Sequence, residues 1–526
     1  MKPEETDPSR RGMPALRCAA FLACLGTALA LGGAAHTAAG PSLSFAAPKH
    51  YPIGKRPCRM AIGELNGDGK PDVVTTDCNS TVSVLLNRGD GAFDAKREYT
   101  TEHSGNIDVA DLNGDGKNDL LTTSDLPTNH GPGISVLMNQ GAGTFGASAS
   151  YPVALQDLLI ADLNGDDKPD LVFETGSDYS TVSVLLNHGD GTFEPKRDYL
   201  AQAELGNMAL GDLNGDARPD LVIVNPDDGV SVLLNGGDGS FQSRRDYKAG
   251  FPGRVAIGDL NGDGKPDLAT GDDDGRASVR LNRGDAPFGR PRRYDYCGSG
   301  CNSPEALEIA IMDLNDDDKA DLVTLWDDIR YGELHEANWY VAEVAVLLNK
   351  GDGRFSAHKY EVNLPFSRNE DEEVTSLAIG DLNGDGKPEI TTATGVSFLT
   401  VQLNRGNGSF EPSLRYPLFD VEGSFGSADL NSDGRPDLVG ANRERRAVSV
   451  RLNAPVLCNV QSVRRRTVAA AKRKLGRANC RVGKVTRAYE KRVGKGRVIS
   501  QRPRLGAVLP GGAKVNLVVS RGRKRS

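Results

Sequence analysis

The stretch Asp259-Leu-Asn261-Gly-Asp263-Gly-Lys265-Pro-Asp267 decides the fold, because variants of it recur along the chain at eight places. The other seven copies begin at Glu64, Asp111, Asp162, Asp212, Asp313, Asp381 and Asp429. An alternating apolar stretch precedes each copy and another follows it, so each copy is a loop between two strands. A third strand comes next, and a Gly-Asp-Gly turn with a Phe then leads into a fourth. Four strands per repeat predict an all-β chain folded as an eight-bladed β-propeller.

Composition agrees with a repeat of short strands. The chain has 526 residues, with 62 Gly and only 6% aromatic residues, which is typical of many tight turns and not of a helical enzyme. We therefore expect a signal segment at 1–39, the propeller at 40–454 and a separate small domain at 455–526.

The recurring loop has the chemistry of a calcium site. Side-chain oxygens stand at loop positions 1, 3, 5 and 9, and the backbone carbonyl of position 7 adds a fifth donor, which explains why its side chain is Lys or Arg. Calcium takes six or more oxygen ligands in flexible geometry, whereas magnesium demands a stricter octahedron. The alternative is an Asx-rich turn that binds nothing. Eight copies with one spacing favour calcium.

Charge supports the same interpretation. The net charge of −8 hides an asymmetry, because residues 455–526 carry 21 Lys and Arg against the single acid Glu490. The first 454 residues are thus near −28, and carboxylates clustered in threes repel one another without a counter-ion.

The eight copies are not equal. Glu64 replaces Asp at position 1, Glu389 replaces it at position 9, and position 6 is Asp167, Ala217 or Asp318 in three loops. Any left-handed turn at position 6 is harder for these residues than for Gly. We expect the first, fourth and seventh loops to be the weakest sites.

Residues 45–453 resemble the FG-GAP/VCBS repeat family, whose best-known member is the seven-bladed head of integrin alpha subunits. The resemblance implies a structural calcium between the first and second strands of each blade, on the lower face of the disc. The family's blade number keeps a seven-bladed ring as the alternative. Phe45-Ala-Ala-Pro-Lys-His-Tyr-Pro52 matches the fourth strand missing from the last repeat, so the ring would close between its N- and C-terminal ends.

The resemblance assigns up to eight structural calcium ions, each with ligands at loop positions 1, 3, 5, 7 and 9. Loop by loop, these ligands are Glu64, Asn66, Asp68, Lys70 and Asp72; Asp111, Asn113, Asp115, Lys117 and Asp119; Asp162, Asn164, Asp166, Lys168 and Asp170; Asp212, Asn214, Asp216, Arg218 and Asp220; Asp259, Asn261, Asp263, Lys265 and Asp267; Asp313, Asn315, Asp317, Lys319 and Asp321; Asp381, Asn383, Asp385, Lys387 and Glu389; Asp429, Asn431, Asp433, Arg435 and Asp437.

The N-terminus predicts export. Arg10, Arg11 and Arg17 precede the apolar run Ala19–Ala35, which ends in small residues and is short for a membrane anchor, the alternative. Twin-arginine and lipobox patterns are poor matches. We expect a secreted protein without a later transmembrane segment, and the Gly, Ala and Arg usage with this domain pairing points to a bacterium.

Six cysteines remain after the signal, and in an exported chain an even number suggests disulfides. Propeller geometry places Cys58 near Cys78 and predicts that pair, and we also predict Cys297–Cys301. A zinc site at Cys297-x-x-x-Cys301 is the weaker alternative, because no second Cys or His pair lies close in sequence.

Residues 455–526 predict a helix at Thr467–Leu475 and strands near Cys480–Val485, Arg497–Arg502 and Val515–Ser520. They resemble a PASTA domain in Cys458-Asn-Val, Val498-Ile-Ser-Gln501 and Leu509-Pro-Gly-Gly512. The resemblance implies binding to peptidoglycan, or a spacer without affinity, and a Cys458–Cys480 disulfide between the first two strands. The basic charge suits an anionic wall polymer, whereas export and the lack of an aromatic platform argue against nucleic acid.

The longest connections fall on the upper face around the sixth repeat: Tyr294–Ala306, Trp326–Tyr340 and Asn363–Thr375. The middle one holds candidate ligand-binding residues suited to stacking on sugars or anchoring a protein: Trp326, Arg330, Tyr331, His335, Trp339 and Tyr340. The alternative is a hairpin tucked over its neighbour.

We therefore expect a non-catalytic protein that binds a glycan or protein on its upper face and associates with the cell wall. One alternative is a calcium-dependent polysaccharide lyase, since eight-bladed propellers with similar loops occur among those enzymes. However, no His, Lys or Glu constellation stands outside the repeat. A pure envelope scaffold is the third hypothesis.

Overall fold

The structure is a computed structural model that describes residues 43–124, 132–155, 157–175, 181–200, 207–225, 229–248, 252–284, 287–297, 305–330, 339–361, 374–394, 398–417, 424–454, 457–476, 478, 480–510 and 513–523. The predicted signal at 1–39 lies outside these ranges, as does most of Asn363–Thr375. No helix in the described ranges is long and apolar enough to cross a membrane.

Eight four-stranded antiparallel sheets follow one another along the chain, and we number them 1 to 8. Sheets 1 to 4 consist of Arg59–Gly63, Asp72–Thr76, Thr81–Leu85 and Arg97–Thr100; Asn106–Ala110, Asp119–Ser124, Gly133–Leu137 and Ala149–Tyr151; Leu158–Ala161, Asp170–Thr175, Thr181–Leu185 and Arg197–Leu200; Met208–Gly211, Asp220–Asn225, Gly229–Leu233 and Arg245–Tyr247. A small hairpin, Asn139–Gly141 with Thr144–Phe145, forms the turn before the last strand of sheet 2.

Sheets 5 to 7 repeat the same order of strands. They consist of Pro252–Gly258, Asp267–Asp272, Arg276–Arg280 and Arg292–Asp295; Glu305–Met312, Asp321–Arg330, Trp339–Asn349 and Phe355–Glu361; Val374–Gly380, Glu389–Thr394, Phe398–Gln402 and Leu414–Pro417. Sheet 8 takes three strands from the end of the repeats and its fourth from the beginning: Phe425–Ala428, Asp437–Asn442, Ala447–Arg451 and Lys49–Pro52.

Burial follows each strand's place in its sheet. The second strand of sheet 1, Asp72–Thr76, is buried at every residue, whereas the fourth strand, Arg97–Thr100, alternates between half-buried and exposed. A strand that is covered on both faces has a continuous apolar sequence, whereas buried and exposed residues alternate along an outer strand. First strands of neighbouring sheets contact one another, so the first strand is innermost.

Among the described residues of the eight sheets, the core is divided into eight hydrophobic clusters, each shared by two consecutive sheets. The last of them joins sheet 8 to sheet 1 through Val439, Val450 and Val73. Because each sheet packs on the next and the last packs on the first, the sheets form a closed ring, and the fold is a β-propeller.

The ring closes as the sequence predicted. Lys49–Pro52 pairs with Ala447–Arg451, and Phe45 bridges Asn453. In sheets 1 to 5 a Tyr of the fourth strand contacts the Phe of the next repeat edge to face, with ring centroids 5.1–5.4 Å apart. Tyr99 and Phe145 form one such pair. Where the ring closes, Phe45 makes this contact with Tyr416 of sheet 7. The N-terminal segment therefore supplies both the fourth strand of sheet 8 and the Phe that its repeat does not contain.

The C-terminal domain has its own core around Cys458, Leu475 and Leu517. A helix, Val468–Gly476, covers a sheet in which Lys514–Ser520 lies between Arg481–Ala488 and Val498–Arg502. Two short strands, Leu457–Asn459 and Val508–Pro510, pair separately. The predicted helix and strands are thus present with their ends shifted by one to three residues.

Candidate functional site

The acidic loops and the Gly-Asp-Gly turns lie together on one face, which we call the lower face. A Cβ added at Gly89, in the turn of sheet 1, would come within 2.6 Å of Lys70, in the loop of the same sheet. Equivalent contacts join Gly189 to Lys168 and Gly351 to Lys319. Connections from strand 2 to 3, and from strand 4 to the next strand 1, therefore lie on the opposite, upper face.

The position-1 carboxylate shapes each loop. In sheet 5, Asp259 Oδ1 accepts the N–H groups of Gly262 and Asp263 at 2.7 and 3.2 Å, and Oδ2 accepts that of Gly264 at 2.7 Å. Burial works against these hydrogen bonds, and the net result is a lowered pKa for Asp259. In the first loop Glu64 uses one oxygen, which accepts the N–H groups of positions 3, 4 and 5, those of Asn66, Gly67 and Asp68.

Loop positions 4 and 6 are left-handed. Gly262 and Gly264 have φ of 78° and 81°, and no atom would lie within 4 Å of an added Cβ. The non-glycine residues at position 6 adopt the same conformation, with φ of 63° at Asp167, 67° at Ala217 and 61° at Asp318. The strain expected from the sequence is therefore present in these three loops.

The position-9 carboxylate is a buried anchor, with no exposed surface in any of the eight copies. Asp267 Oδ2 accepts the N–H of Leu260 at 3.0 Å, and Oδ1 accepts that of Asn282, at the end of the third strand, at 2.7 Å. Asn282 in turn donates to the carbonyl of Leu213 in the preceding sheet's loop at 2.7 Å. This contact recurs in every sheet: Asn87 to Leu430, Asn139 to Leu65, Asn187 to Leu112, Asn235 to Leu163, Asn349 to Leu260, Asn404 to Leu314 and Asn453 to Leu382.

Sequence reasoning assigned position 9 to calcium alone and missed this buried belt. The signal was present, because an Asn closes the third strand in every repeat, and in the first seven repeats it stands two residues before the first Gly of the turn that follows. Position 9 thus links its own loop to its own sheet, and the Asn links that sheet to the preceding one.

Carboxylates of one loop act electrostatically on position 9. Burial raises the pKa of Asp267 to about 6, backbone N–H groups lower it, and Asp263 and Asp259 raise it further. Burial raises the pKa to about 7 at Asp437 and to about 8 at Glu389. Glu389 also holds its strand-3 partner more loosely, at 3.4 Å from the Asn404 N–H. The seventh loop therefore departs from the others in geometry as well as in sequence.

The donor set fits a hard divalent cation, since every loop combines oxygen donors with three carboxylates, and those at positions 1 and 5 raise the pKa of the one at position 9. The position-7 cation faces position 5, as in Lys117 to Asp115 at 2.6 Å. Within the described ranges no three His, Cys, Asp or Glu side chains converge closely enough to hold a metal ion. The loops supply the kind of oxygen donors that a calcium ion requires.

Trp326 was wrongly predicted to bind a ligand. It has no exposed surface and packs between sheets 5 and 6, with its ring 5.6 Å from that of Tyr296. The reason is that strands 2 and 3 of sheet 6 run to 10 and 11 residues, longer than in most of the other sheets, so Trp326 lies within a strand and faces the core.

The remaining candidates of that segment lie further out. Arg330 pairs with Trp339, and Ile329 with Tyr340, in the extended hairpin of sheet 6. Tyr331 and His335 lie outside the described residues. The hairpin therefore brings Arg330 and Trp339 to one place on the upper face, beyond the body of the sheet.

A second feature of the upper face escaped sequence reasoning. In every sheet, the first-strand residue that pairs with the fourth residue after loop position 9 is polar, whereas the next residue along the first strand is apolar in all eight sheets. We call this set the polar ring: Arg59, Asn106, Asp157, Asn207, Arg254, Glu308, Ser376 and Ser424. Because the first strand is innermost, the polar ring encircles the axis of the propeller at its upper end. Arg59 and Arg254, four sheets apart, lie on opposite sides.

Charges of the polar ring interact. Arg59 Nε donates to Asn106 Oδ1 at 3.1 Å, and Arg254 Nε to the Leu307 carbonyl at 2.9 Å. Burial raises the pKa of Asp157 to about 6, although N–H groups and Arg254 lower it. Glu174, in the second strand of sheet 3, is 1% exposed, and burial beside Asp157 raises its pKa to about 9. The sequence could have shown this residue, because Glu174 is an acid that directly follows three apolar residues within a buried strand.

Disulfides connect Cys58 to Cys78 and Cys458 to Cys480, as predicted, with Cα atoms 5.5 and 4.8 Å apart. Cys297 is disulfide-bonded, and Cys301, its predicted partner, lies outside the described residues. A bonded Cys297 provides no thiolate for zinc, so the zinc alternative is excluded there.

Fold and loops together define a β-propeller of acidic-loop repeats with a small basic domain appended. The FG-GAP-like repeat family matches residues 65–122, 111–173, 162–223, 212–270, 259–324 and 381–440, over more than half of the chain, and the chain belongs to it. The PASTA domain family matches residues 459–521.

No curated protein matches the chain. Among solved structures, it is similar to BBS1N in complex with ARL6DN in a crystal soaked with mercury, at 11% identity and a TM-score of 0.39, over 66% of this chain and 91% of that one. A crystal of the same complex soaked with lead gives 13% identity and a TM-score of 0.39, over 67% and 94%.

Proposed function

We propose that the protein is a secreted or cell-surface, non-catalytic calcium-binding protein. Calcium loops stabilise the propeller, the upper face binds a glycan or protein, and the PASTA domain associates with the cell wall. The observation that carries the proposal is the separation of the two faces: one carries a loop of oxygen donors in all eight repeats, and the other differs from sheet to sheet.

Calcium is supported by the electrostatics of position 9. A divalent cation between positions 1, 5 and 9 would offset the repulsion that raises the pKa of the buried carboxylate. With up to eight sites around a closed ring, binding would stabilise the fold according to ligand concentration over Kd.

Ligand binding is supported by the upper face. The polar ring offers guanidinium, carboxylate, amide and hydroxyl groups around the upper end of the propeller axis. In the extended hairpin of sheet 6, Arg330 and Trp339 are the outermost residues that the structure describes. Such mixed donors and acceptors suit a hydroxyl-rich ligand. The carboxylates of the lower face bond to loop backbone, which favours a structural role over a catalytic one.

Calorimetric titration of chelator-treated protein, residues 40–526, tests the calcium sites. We expect calcium to bind and to raise the melting temperature more than magnesium does. Asp263→Asn should remove about one site, while Asp238→Asn, in an exposed Gly-Asp-Gly turn, should remove none. Absence of both heat and stabilisation would refute calcium binding.

Immobilised plant and bacterial polysaccharides, including peptidoglycan, test the ligand. The flow-through is assayed for unsaturated sugar products, which only a lyase would release. Retention without products is expected, and it should be weakened by Arg330→Ala with Trp339→Ala or by Arg254→Gln. Product release would establish the lyase instead, and neither retention nor products would favour a scaffold.

A further inference from the structure

Exposed apolar side chains concentrate on the PASTA domain. Six large hydrophobic residues are exposed in the described part of the chain, and four of them belong to this small domain: Leu200 and Leu414 on the propeller, Val485, Tyr489, Leu505 and Val508 on the domain. The same domain contains almost no acid. An apolar and basic surface in one small module marks a binding surface.

Leu505 and Val508 are the most exposed of the four residues on the domain, at 65% and 57%. Leu505 belongs to a tight turn, in which the Ala507 N–H donates to the Arg504 carbonyl at 3.2 Å and Gly506 adopts a φ of 82°, and Val508 begins the strand that follows this turn. We call residues 505–508 the apolar tip.

Backbone hydrogen bonds hold the apolar tip against the domain. The Gly506 N–H donates to the Val460 carbonyl at 3.0 Å, and the Val460 N–H donates to the Ala507 carbonyl at 2.9 Å. Leu505 is therefore held outward by a turn fixed at both ends, and little conformational entropy is lost when it is buried.

The surroundings of the apolar tip are cationic. Arg502 and Arg504 adjoin it and are exposed, and Arg464 donates to the Ile499 carbonyl in the strand that leads to it. The domain's single acid, Glu490, lies two residues beyond Ala488, which pairs with Ser520 at one end of the central strand. Arg502 pairs with Asn516, nearer the other end of that strand. About four residues of strand, or roughly 13 Å, separate the acid from the tip end of the sheet.

We propose that the apolar tip docks the PASTA domain on an anionic lipid surface, with Leu505 and Val508 entering the headgroup boundary and the flanking arginines contacting lipid phosphates. Charge alone would suit a hydrophilic polyanion equally well. Such a polymer gives two exposed aliphatic side chains nothing to be buried in, whereas a lipid boundary does. Membrane docking is independent of the upper-face ligand proposed above.

Sedimentation with sucrose-loaded vesicles tests this inference. Residues 40–526 are used, because the apolar run at Ala19–Ala35 would itself enter lipid. We expect binding to vesicles of equal parts phosphatidylcholine and phosphatidylglycerol, and much weaker binding to phosphatidylcholine alone. Leu505→Ala with Val508→Ala should weaken binding roughly tenfold, and Arg502→Gln or Arg504→Gln about fivefold each.

Tyr489→Ala is the matched control, since Tyr489 is 54% exposed in the same domain but lies at the other end of the sheet, below Arg521. It should bind as the parent does. Leu505→Trp keeps the tip apolar, should bind at least as well, and should shift its emission to the blue on anionic vesicles.

Lack of vesicle binding by the parent would overturn the proposal. Equal binding by the double alanine variant would do so too, because charge would then act alone. Retention on an anionic wall polymer, unaffected by the double alanine variant and without vesicle binding, would assign the surface to the polymer and leave the proposed wall association intact.

Discussion

The lower and upper faces of the propeller follow different rules. On the lower face, the position-9 carboxylate, the strand-3 Asn and the preceding loop's carbonyl make the same contacts in all eight sheets. On the upper face the contacts are individual: Cys58–Cys78 in sheet 1, Glu174 beside Asp157 in sheet 3, and Trp326 against Tyr296 in sheet 6. The face whose contacts recur in every sheet holds the ring together, and the face whose contacts differ from sheet to sheet is the one available for recognition.

A fully buried upper-face residue should nevertheless behave as part of the framework. Trp326→Ala should lower the free energy of unfolding by about 4 kcal/mol, because a large cavity would open between sheets 5 and 6. Chemical denaturation with calcium held constant measures it. Trp339→Ala is the comparison and should leave stability almost unchanged; a stable Trp326→Ala protein that had lost ligand binding would reverse the assignment of these two residues.

On the lower face, substitution of the buried position-9 carboxylate should lower the stability strongly, whereas substitution in the exposed turns should change it little. Asp267→Ala leaves two buried N–H groups, of Leu260 and Asn282, without their acceptor, and should cost about 3 kcal/mol even without calcium. Asp238→Ala, which removes one exposed turn contact, should cost less than about 1 kcal/mol. Similar losses in the two variants would mean that position 9 matters only through calcium.

The buried Glu174, a contact found in sheet 3 of the upper face, predicts that the stability of the protein depends on pH. Because burial beside Asp157 raises the pKa of Glu174 from 4.5 to about 9, the folded protein binds this proton more tightly than the unfolded chain does. The stabilisation is complete below about pH 4.5 and is lost as pH rises toward 9, with a slope approaching 1.4 kcal/mol per pH unit.

Glu174→Gln keeps the shape of the neutral acid and should remove that slope. We expect the variant to match the parent near pH 4.5 and to exceed it by about 2 kcal/mol at pH 6. Denaturation at both pH values measures the difference, and Glu98→Gln, at a half-exposed fourth-strand position, serves as control. Parallel pH curves for Glu174→Gln and the parent would show that the carboxyl is ionised in the folded protein.

The contrast between the faces explains what the sequence could and could not predict. The eightfold loop spacing was enough for the strand order, the left-handed positions and the ring closure by Phe45–Pro52, because repeated local contacts leave a repeated pattern. The prediction that Trp326 binds a ligand was wrong because the burial of this residue depends on how far two strands of one sheet extend. The polar ring depends on register between eight separate strands, which no single repeat displays.

The smallest expected effect lies within the lower face and compares two loops at position 6. Ala217 and Gly264 share a left-handed φ of 67° and 81°, and an added Cβ at Gly264 would meet no atom within 4 Å. Ala217→Gly should therefore stabilise the protein by about 0.5 kcal/mol, and Gly264→Ala should destabilise it by about 1 kcal/mol, through backbone conformation alone. Paired melting curves, with and without calcium, measure both changes. Effects of the same sign in the two loops would show that contacts, and not the left-handed backbone, distinguish the fourth loop from the fifth.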